Sequence, residues 1–271
     1  MDYKLPKRTK KSHKGTYGRV LNIAGSKYMP GAGYLSSVSA LKIGCGYCFL
    51  LSEESVFNSV SSQTQNIVFV PHKNLKSQLK NSNVVSIGCG LTTSLKAKKI
   101  FIETIKHITS QTLIIDADGL NILSKINIKL PNKIILTPHP KEASRLLNID
   151  IEILLKNPEF YAKTISQKYN CITVLKSHNT IITDGNTLFI NKSGNSALAK
   201  AGSGDVLTGM IAGLVAQGLE PIEACKTAVY LHGLCGELAS EKLTEYCVMA
   251  SDLIEHIPNA IKFMTDQNNL L

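Results

Sequence analysis

The chain has 271 residues, of which 44% are hydrophobic, enough to bury a full core and incompatible with a disordered or fibrous chain. Its formal net charge is +10 with 6% aromatics, and no apolar run approaches the roughly 18 residues that cross a bilayer. The basic N-terminus has no apolar segment behind it, and seven scattered cysteines form no disulfide framework, so a cytoplasmic protein is expected.

Lys4, Lys7, Arg8, Lys10, Lys11 and Lys14 make residues 1–14 a basic arm on what reads as one domain spanning 1–271. With no basic helix, zinc knuckle or aromatic-rich sheet motif, nucleic acid is not expected as a partner, and the arm reads as a solvated tail. Apolar runs then predict strands at 20–24, 48–51, 67–70, 84–87, 113–116, 133–136, 171–175, 180–183 and 188–190. Helical spacing falls at 33–43, 95–109, 141–147, 159–169, 205–217, 221–240 and 251–263. Many strands lack alternation, as strands covered on both faces do, so the expected fold class is a three-layer α/β/α domain around a mostly parallel sheet. Asp184-Gly185 between apolar runs predicts a local antiparallel hairpin. Cys45 and Cys48 form a C-x-x-C pair without a second ligand pair or redox context, and read as small core residues.

Open α/β sheets bind ligands beyond the carboxyl ends of their strands. There the sequence places Gly25-Ser26 with Pro30-Gly31-Ala32-Gly33, then Gly88-Cys89-Gly90-Leu91, and then Asp116-Ala117-Asp118. Further on come Thr137-Pro138-His139-Pro140 and Lys176-Ser177-His178-Asn179-Thr180. Gly88-x-Gly90 alone is only a turn signal. Asp116 and Asp118 are open to a magnesium or a helix-cap reading. His139, held between prolines, points to a ligand contact, and Lys176 to a phosphate or simply to water. His13, His72, His107, His178, His232 and His256 receive no role of their own from the pattern.

The most informative stretch is Gly202-Ser203-Gly204-Asp205-Val206-Leu207-Thr208-Gly209. Apolar residues at 206, 207, 210, 211, 214 and 215 start a helix there, so Asp205 lies in its first turn. Free N–H groups and the helix dipole favour a phosphate at that end, and a carboxylate beside it can take a proton from a hydroxyl. The alternative is that Asp205 merely caps the helix.

In this order, the segments from about Lys14 to Pro258 resemble the ADP/ATP-dependent NAD(P)H-hydrate dehydratase family, which has a ribokinase-like fold. The likeness rests on residues 18–26, Gly31-Ala32, 87–91, 116–121, 137–142, 176–180 and 202–209. Cys89 stands where the family usually has proline, Gly119 where it has alanine, Lys141 and Ser177 where it has glycine, and Ser203 where it has threonine. The resemblance implies that Asp205 is the base that frees the ring hydroxyl of hydrated NADH or NADPH to attack the terminal phosphate of ADP or ATP. It implies that Ala32, Gly90, His139 and Asp205 contact that substrate, and that Lys176, Ser177, His178, Asn179, Thr180, Gly202, Ser203 and Gly204 hold the nucleotide. Magnesium is implied as phosphate counter-ion with no ligand cage identified, a homotetramer as the assembly, and a separate epimerase as functional partner. The stand-alone form and the Gly-Ser-Gly-Asp motif tilt the nucleotide toward ADP. The rival expectation is a thiazole or hydroxymethylpyrimidine kinase, which would use Asp205 identically but release a phosphorylated product; a second rival is a non-catalytic nucleotide-binding or nucleic-acid-binding protein that exploits the +10 charge.

Overall fold

The strands of the computed structural model, which describes residues 3–268, are β1 (Arg19–Ile23), β2 (Tyr47–Ser52), β3 (Val68–Pro71), β4 (Val84–Ile87), β5 (Thr112–Ile115), β6 (Ile134–Leu136), β7 (Ile172–Leu175), β8 (Ile181–Thr183) and β9 (Leu188–Ile190). They form one sheet in the order β3-β2-β1-β4-β5-β6-β7-β8-β9. The pairs from β3 to β7 are parallel, whereas β7–β8 and β8–β9 are antiparallel, the last being the hairpin expected from Asp184-Gly185. Successive side chains serve different cores: Val20 faces one, Leu21 and Ile23 the other, and in β5 Ile114 faces the first while Leu113 and Ile115 face the second. Both faces are covered, so both kinds of position are apolar.

The helices are α1 (Pro30–Lys42), α2 (Glu54–Ser61), α3 (Leu75–Lys80), α4 (Leu95–His107), α5 (Asp118–Leu123), α6 (Pro140–Leu147), α7 (Ile151–Lys156), α8 (Pro158–Tyr169), α9 (Ser203–Ala216), α10 (Pro221–Cys247) and α11 (Ala250–Asn268). Helices α1, α2, α9, α10 and α11 bury the first core, and α3 to α8 the second. Helix α9 lies almost in contact with α1: a Cβ at Gly209 would stand 2.0 Å from Ser39 Oγ and 2.1 Å from the Ser36 carbonyl oxygen. Only glycine allows that approach.

Four short helices, α2, α3, α5 and α7, were not expected, since six to eight residues are too few to establish a helical period. Helix α10 runs past residue 240 to Cys247, with a break at Thr244 (φ 63°, ψ 157°). The basic arm is exposed but not free. Tyr3 stacks on Tyr230 with centroids 4.0 Å apart, and Arg8 bonds the Gly44 carbonyl oxygen and lies 3.8 Å over the Tyr17 ring.

The chain leaves β1 for β2 and β3 on one side, then returns to place β4 on the other. The loops after β1 and β4 therefore part at a topological switch point, where Gly25 N donates to Cys89 O at 2.8 Å. Beneath it, Asn22 Nδ2 donates to Ser36 Oγ (2.8 Å) and Ser37 Oγ (2.9 Å), while Ser86 Oγ donates to Asn22 Oδ1 (2.9 Å). This buried network ties β1, β4 and α1 together under the site.

Candidate active site

Helix α9 opens after Gly202, which adopts φ 90° and gives the helix no side-chain cap. Its first turn is held instead from α10. His232 Nε2 lies 2.9 Å from the Ser203 carbonyl oxygen and 3.1 Å from Ser203 Oγ. A carbonyl can only accept, so Nε2 carries the hydrogen. Burial pushes His232 down to about 4, and the ring is neutral at physiological pH. The sequence pattern gave His232 no role, because its partner lies 29 residues away.

Asp205 is the third residue of α9. Burial raises its pKa to about 6, and the Asp116 carboxylate adds to the rise; a hydrogen bond from the Cys89 thiol and the Lys176 charge act the other way. A carboxylate with its proton affinity moved this far toward neutrality is suited to general-base work.

Asp116, just beyond β5, is buried and saturated. It accepts from Lys176 Nζ at 2.6 Å, Thr208 Oγ1 at 2.7 Å and Ala117 N at 2.8 Å. Asp118 turns away to accept from Thr92 N at 2.8 Å. The two carboxylates are therefore not an open pair for a metal, and among the described residues no three His, Cys, Asp or Glu side chains gather as a metal site. Between them Ala117 holds φ 48°, ψ −119°, a conformation that side chains rarely adopt and that residues near functional sites sometimes retain.

Lys176 was open to phosphate or water from the sequence; the structure half-buries it against Asp116. Burial alone would lower its pKa, but Asp116 and Glu142 outweigh that and hold it above the ordinary value. Its ammonium also lies beside α9, where a Cβ at Gly204 would be 3.4 Å from Lys176 Nζ. The lysine turn and the glycine turn thus meet through Lys176. Ser177, His178 and Asn179 are exposed and Thr180 half-buried, in a turn closed by Ser177 Oγ to Asn179 O (2.9 Å) and Thr180 Oγ1 to Ser177 O (3.1 Å).

His139 caps α6. Its Nδ1 accepts from Lys141 N (3.1 Å) and Glu142 N (3.3 Å), and Glu142 accepts in return from His139 N (2.8 Å). Nε2 lies 3.3 Å from Glu142 Oε1, so both ring nitrogens are engaged. The adjacent prolines set that cap: Pro140 begins the helix, and Pro138 offers its carbonyl oxygen to Lys176 N at 2.8 Å. The half-exposed ring is what His139 presents outward. Burial pushes Glu142 up to about 7. Ala32, in the first turn of α1, faces the β4 loop: at Gly90 (φ 61°) a Cβ would stand 2.7 Å from Ala32 Cβ. Gly90 follows Cys89, which reaches Asp205. Ala32, Gly90, His139, Lys176 and Asp205 therefore gather along one edge of the sheet.

Comparison with known proteins points the same way. Residues 20–259 match the family described as NAD(P)H-hydrate dehydratase. The chain is 32% identical to the ADP-dependent (S)-NAD(P)H-hydrate dehydratase of Bacillus subtilis, the match covering 95% of this chain and 94% of that protein. It is also 32% identical to the bifunctional NAD(P)H-hydrate repair enzyme Nnr of Moorella thermoacetica, covering 97% of this chain and spanning only 53% of that longer protein. The crystal structure of the Bacillus subtilis ADP/ATP-dependent NAD(P)H-hydrate dehydratase co-crystallized with ATP/Mg2+ superposes with a TM-score of 0.86 at 31% identity, covering 95% of this chain and 94% of that one.

Proposed function

Because the chain belongs to the NAD(P)H-hydrate dehydratase family, we propose that it restores NADH and NADPH from their hydrates at the expense of ADP or ATP. The observation that carries this reading is Asp205, with its proton affinity raised toward neutrality, on an uncapped helix N-terminus beside the Lys176 ammonium.

Asp205 takes the proton of the ring hydroxyl as that oxygen attacks the terminal phosphorus of the nucleotide. The bond from phosphorus to the bridging oxygen breaks, and ADP leaves as AMP, or ATP as ADP. The carbon–oxygen bond of the phosphorylated ring then breaks with phosphate as leaving group, the neighbouring carbon gives up a proton, and the ring double bond re-forms. Lys176 and the first N–H groups of α9 steady the charge in transit. Asp116 does not compete as base, since three donors hold its charge.

Lys176 to Thr180 with Gly202, Ser203 and Gly204 hold the adenine nucleotide, while Ala32, Gly90 and the His139 ring contact the hydrated dinucleotide. Magnesium, carried by the nucleotide, would neutralise its phosphates. Among the described residues no helix is long and apolar enough to cross a membrane, and we place the enzyme in the cytoplasm. A tetrameric assembly and an epimerase as functional partner complete the reading.

The test is incubation with hydrated NADH, ADP or ATP, and magnesium, following the reduced-nicotinamide absorbance. Return of that absorbance with one phosphate released per dinucleotide supports the reading. A stable phosphorylated product, as a vitamin-precursor kinase would give, rejects it.

A further inference from the structure

His232 is buried on α10 and takes no part in the proton and phosphoryl transfers assigned to Asp205 and Lys176. Its place on that helix is fixed from both sides. Ser193 Oγ donates to the Tyr230 carbonyl oxygen at 2.9 Å, and Gly194 N donates to Glu237 Oε1 at 2.6 Å. Between those two bonds Gly233 lets α10 meet the chain directly, since a Cβ there would stand 2.1 Å from Ser193 Oγ and 2.6 Å from the Ser193 carbonyl carbon. A helix clamped in this way is a rigid mount for the imidazole. The turn that the imidazole meets is less constrained, because it enters α9 through Gly202 at φ 90° and has no side-chain cap.

The N–H groups of that turn are unequally used. Ser203 N and Val206 N donate to the Lys200 and Gly202 carbonyl oxygens, at 3.2 and 3.1 Å. Among the described residues Gly204 N and Asp205 N, which lie between them, have no such acceptor, and a glycine at the cap position offers them no side-chain oxygen. Gly204 N belongs to the same peptide unit as the Ser203 carbonyl, and a trans peptide points its N–H and C=O in opposite directions. The carbonyl end of this unit is bonded by His232 Nε2–H at 2.9 Å. A neutral ring has one N–H, so Ser203 Oγ, at 3.1 Å, can only accept from that same hydrogen. Both oxygens of Ser203 are therefore held from α10. The other end of the unit opens beside Lys176, whose Nζ would stand 3.4 Å from a Cβ at Gly204.

We propose that His232 is a positioning residue for phosphoryl transfer: by fixing the Ser203–Gly204 peptide from its carbonyl side, it aims the Gly204 N–H at the phosphoryl group as that group passes from nucleotide to ring hydroxyl. The proposal rests on the dehydratase reading, in which the start of α9 meets the terminal phosphate. A donor aimed in advance needs no reorganisation when charge develops, so His232 acts on the transition state more than on bound ADP. The nucleotide keeps the Lys176 to Thr180 turn, which His232 does not touch.

The experiment compares His232→Leu, His232→Asn and His232→Gln in the full chain, measuring kcat with hydrated NADH and ADP, and the calorimetric Kd for ADP. Leucine has no donor, the asparagine amide stops near the position of Nδ1, and the glutamine amide reaches about as far as Nε2. In the Leu and Asn variants kcat should fall about tenfold, less than the roughly 10²–10³ that deleting an oxyanion donor costs, with Kd for ADP held within about twofold. His232→Gln should recover most of the rate. A residue that only supports the fold would not separate kcat from Kd in this way, nor distinguish the two amides. Should the Leu variant fail to fold, the Asn and Gln pair carries the same comparison. An equal loss of rate in Gln and Asn, a loss of ADP affinity that matches the loss of rate, or a parental kcat in the Asn variant would overturn the proposal. A protein that restores no hydrated dinucleotide, but phosphorylates another hydroxyl with the same dependence on His232, would reject the dehydratase reading and leave the positioning role standing. Restoration at the parental rate in all three variants would do the reverse.

Discussion

Two cavities of equal volume, about 230 Å³, open at opposite ends of the sheet. One lies beyond the carboxyl ends of β1 and β4; the other is lined by Thr112, Ile134 and Ile172, at the amino ends of β5, β6 and β7. At the amino end the polar groups are satisfied by local turns. Asp184 Oδ1, for example, accepts from Asn186 N (3.0 Å), Thr187 N (2.7 Å) and Thr187 Oγ1 (2.9 Å), and these bonds outweigh its slight burial to hold its carboxyl below the usual value. At the carboxyl end Ser26 Oγ has no partner and Asp205 is held well above the usual value. Volume therefore does not distinguish the two; strand direction does. In a parallel sheet the helices following the strands begin at the carboxyl edge, so their free N–H groups and first-turn carboxylates collect there.

The largest effect that sharpens this contrast is expected at Lys176. Lys176→Met leaves the buried Asp116 charge without its cation and should lower unfolding stability by about 3–5 kcal/mol in denaturant titration. Adding Asp116→Asn to the same protein should restore much of that loss, because the uncompensated charge is gone. If the single variant is as stable as the parent, the clamp is not structural.

The pH profile comes next. The pKa of about 6 means that kcat/KM should fall about tenfold per pH unit as pH drops below 6, because protonated Asp205 cannot accept a proton. A rate independent of pH between 5 and 8 would contradict that assignment.

The smallest effect belongs to the amino end. Asp184→Ala removes turn hydrogen bonds and should reduce stability by roughly 1 kcal/mol with kcat unaltered. Because the folded pKa is depressed, that contribution is present above the unfolded carboxylate value and disappears as pH falls through the folded one. A large loss of turnover in this variant would break the distinction between the two ends.

The strands were legible because nearly every one is an apolar run, and the glycine turn with Asp205 because a helical period follows it at once. What was not legible depends on distance along the chain. Asp116 meets Lys176 across 60 residues and Thr208 across 92, and no local pattern encodes such a meeting. Reading Asp116 and Asp118 as a possible pair followed from adjacency, whereas a turn at Ala117 sends them to different partners. His139 shows the reverse case. Its flanking prolines correctly signalled a fixed ring, but the fixing serves the start of α6, and the Glu142 capping box three residues on was the signal for it.

The most direct test of the central claim is Asp205→Asn, measured for turnover and thermal unfolding on the same preparation. Its raised pKa means that the ionised carboxylate is disfavoured in the folded state, so this group's contribution weakens stability as pH rises from the unfolded carboxylate value through 6. Removing the charge should therefore stabilise the protein at neutral pH, by on the order of 2 kcal/mol, while turnover falls by roughly 10²–10⁴ with ADP still bound. A variant that dehydrates hydrated NADPH at close to the parent rate would contradict the account and leave Asp205 a helix-terminal carboxylate and nothing more.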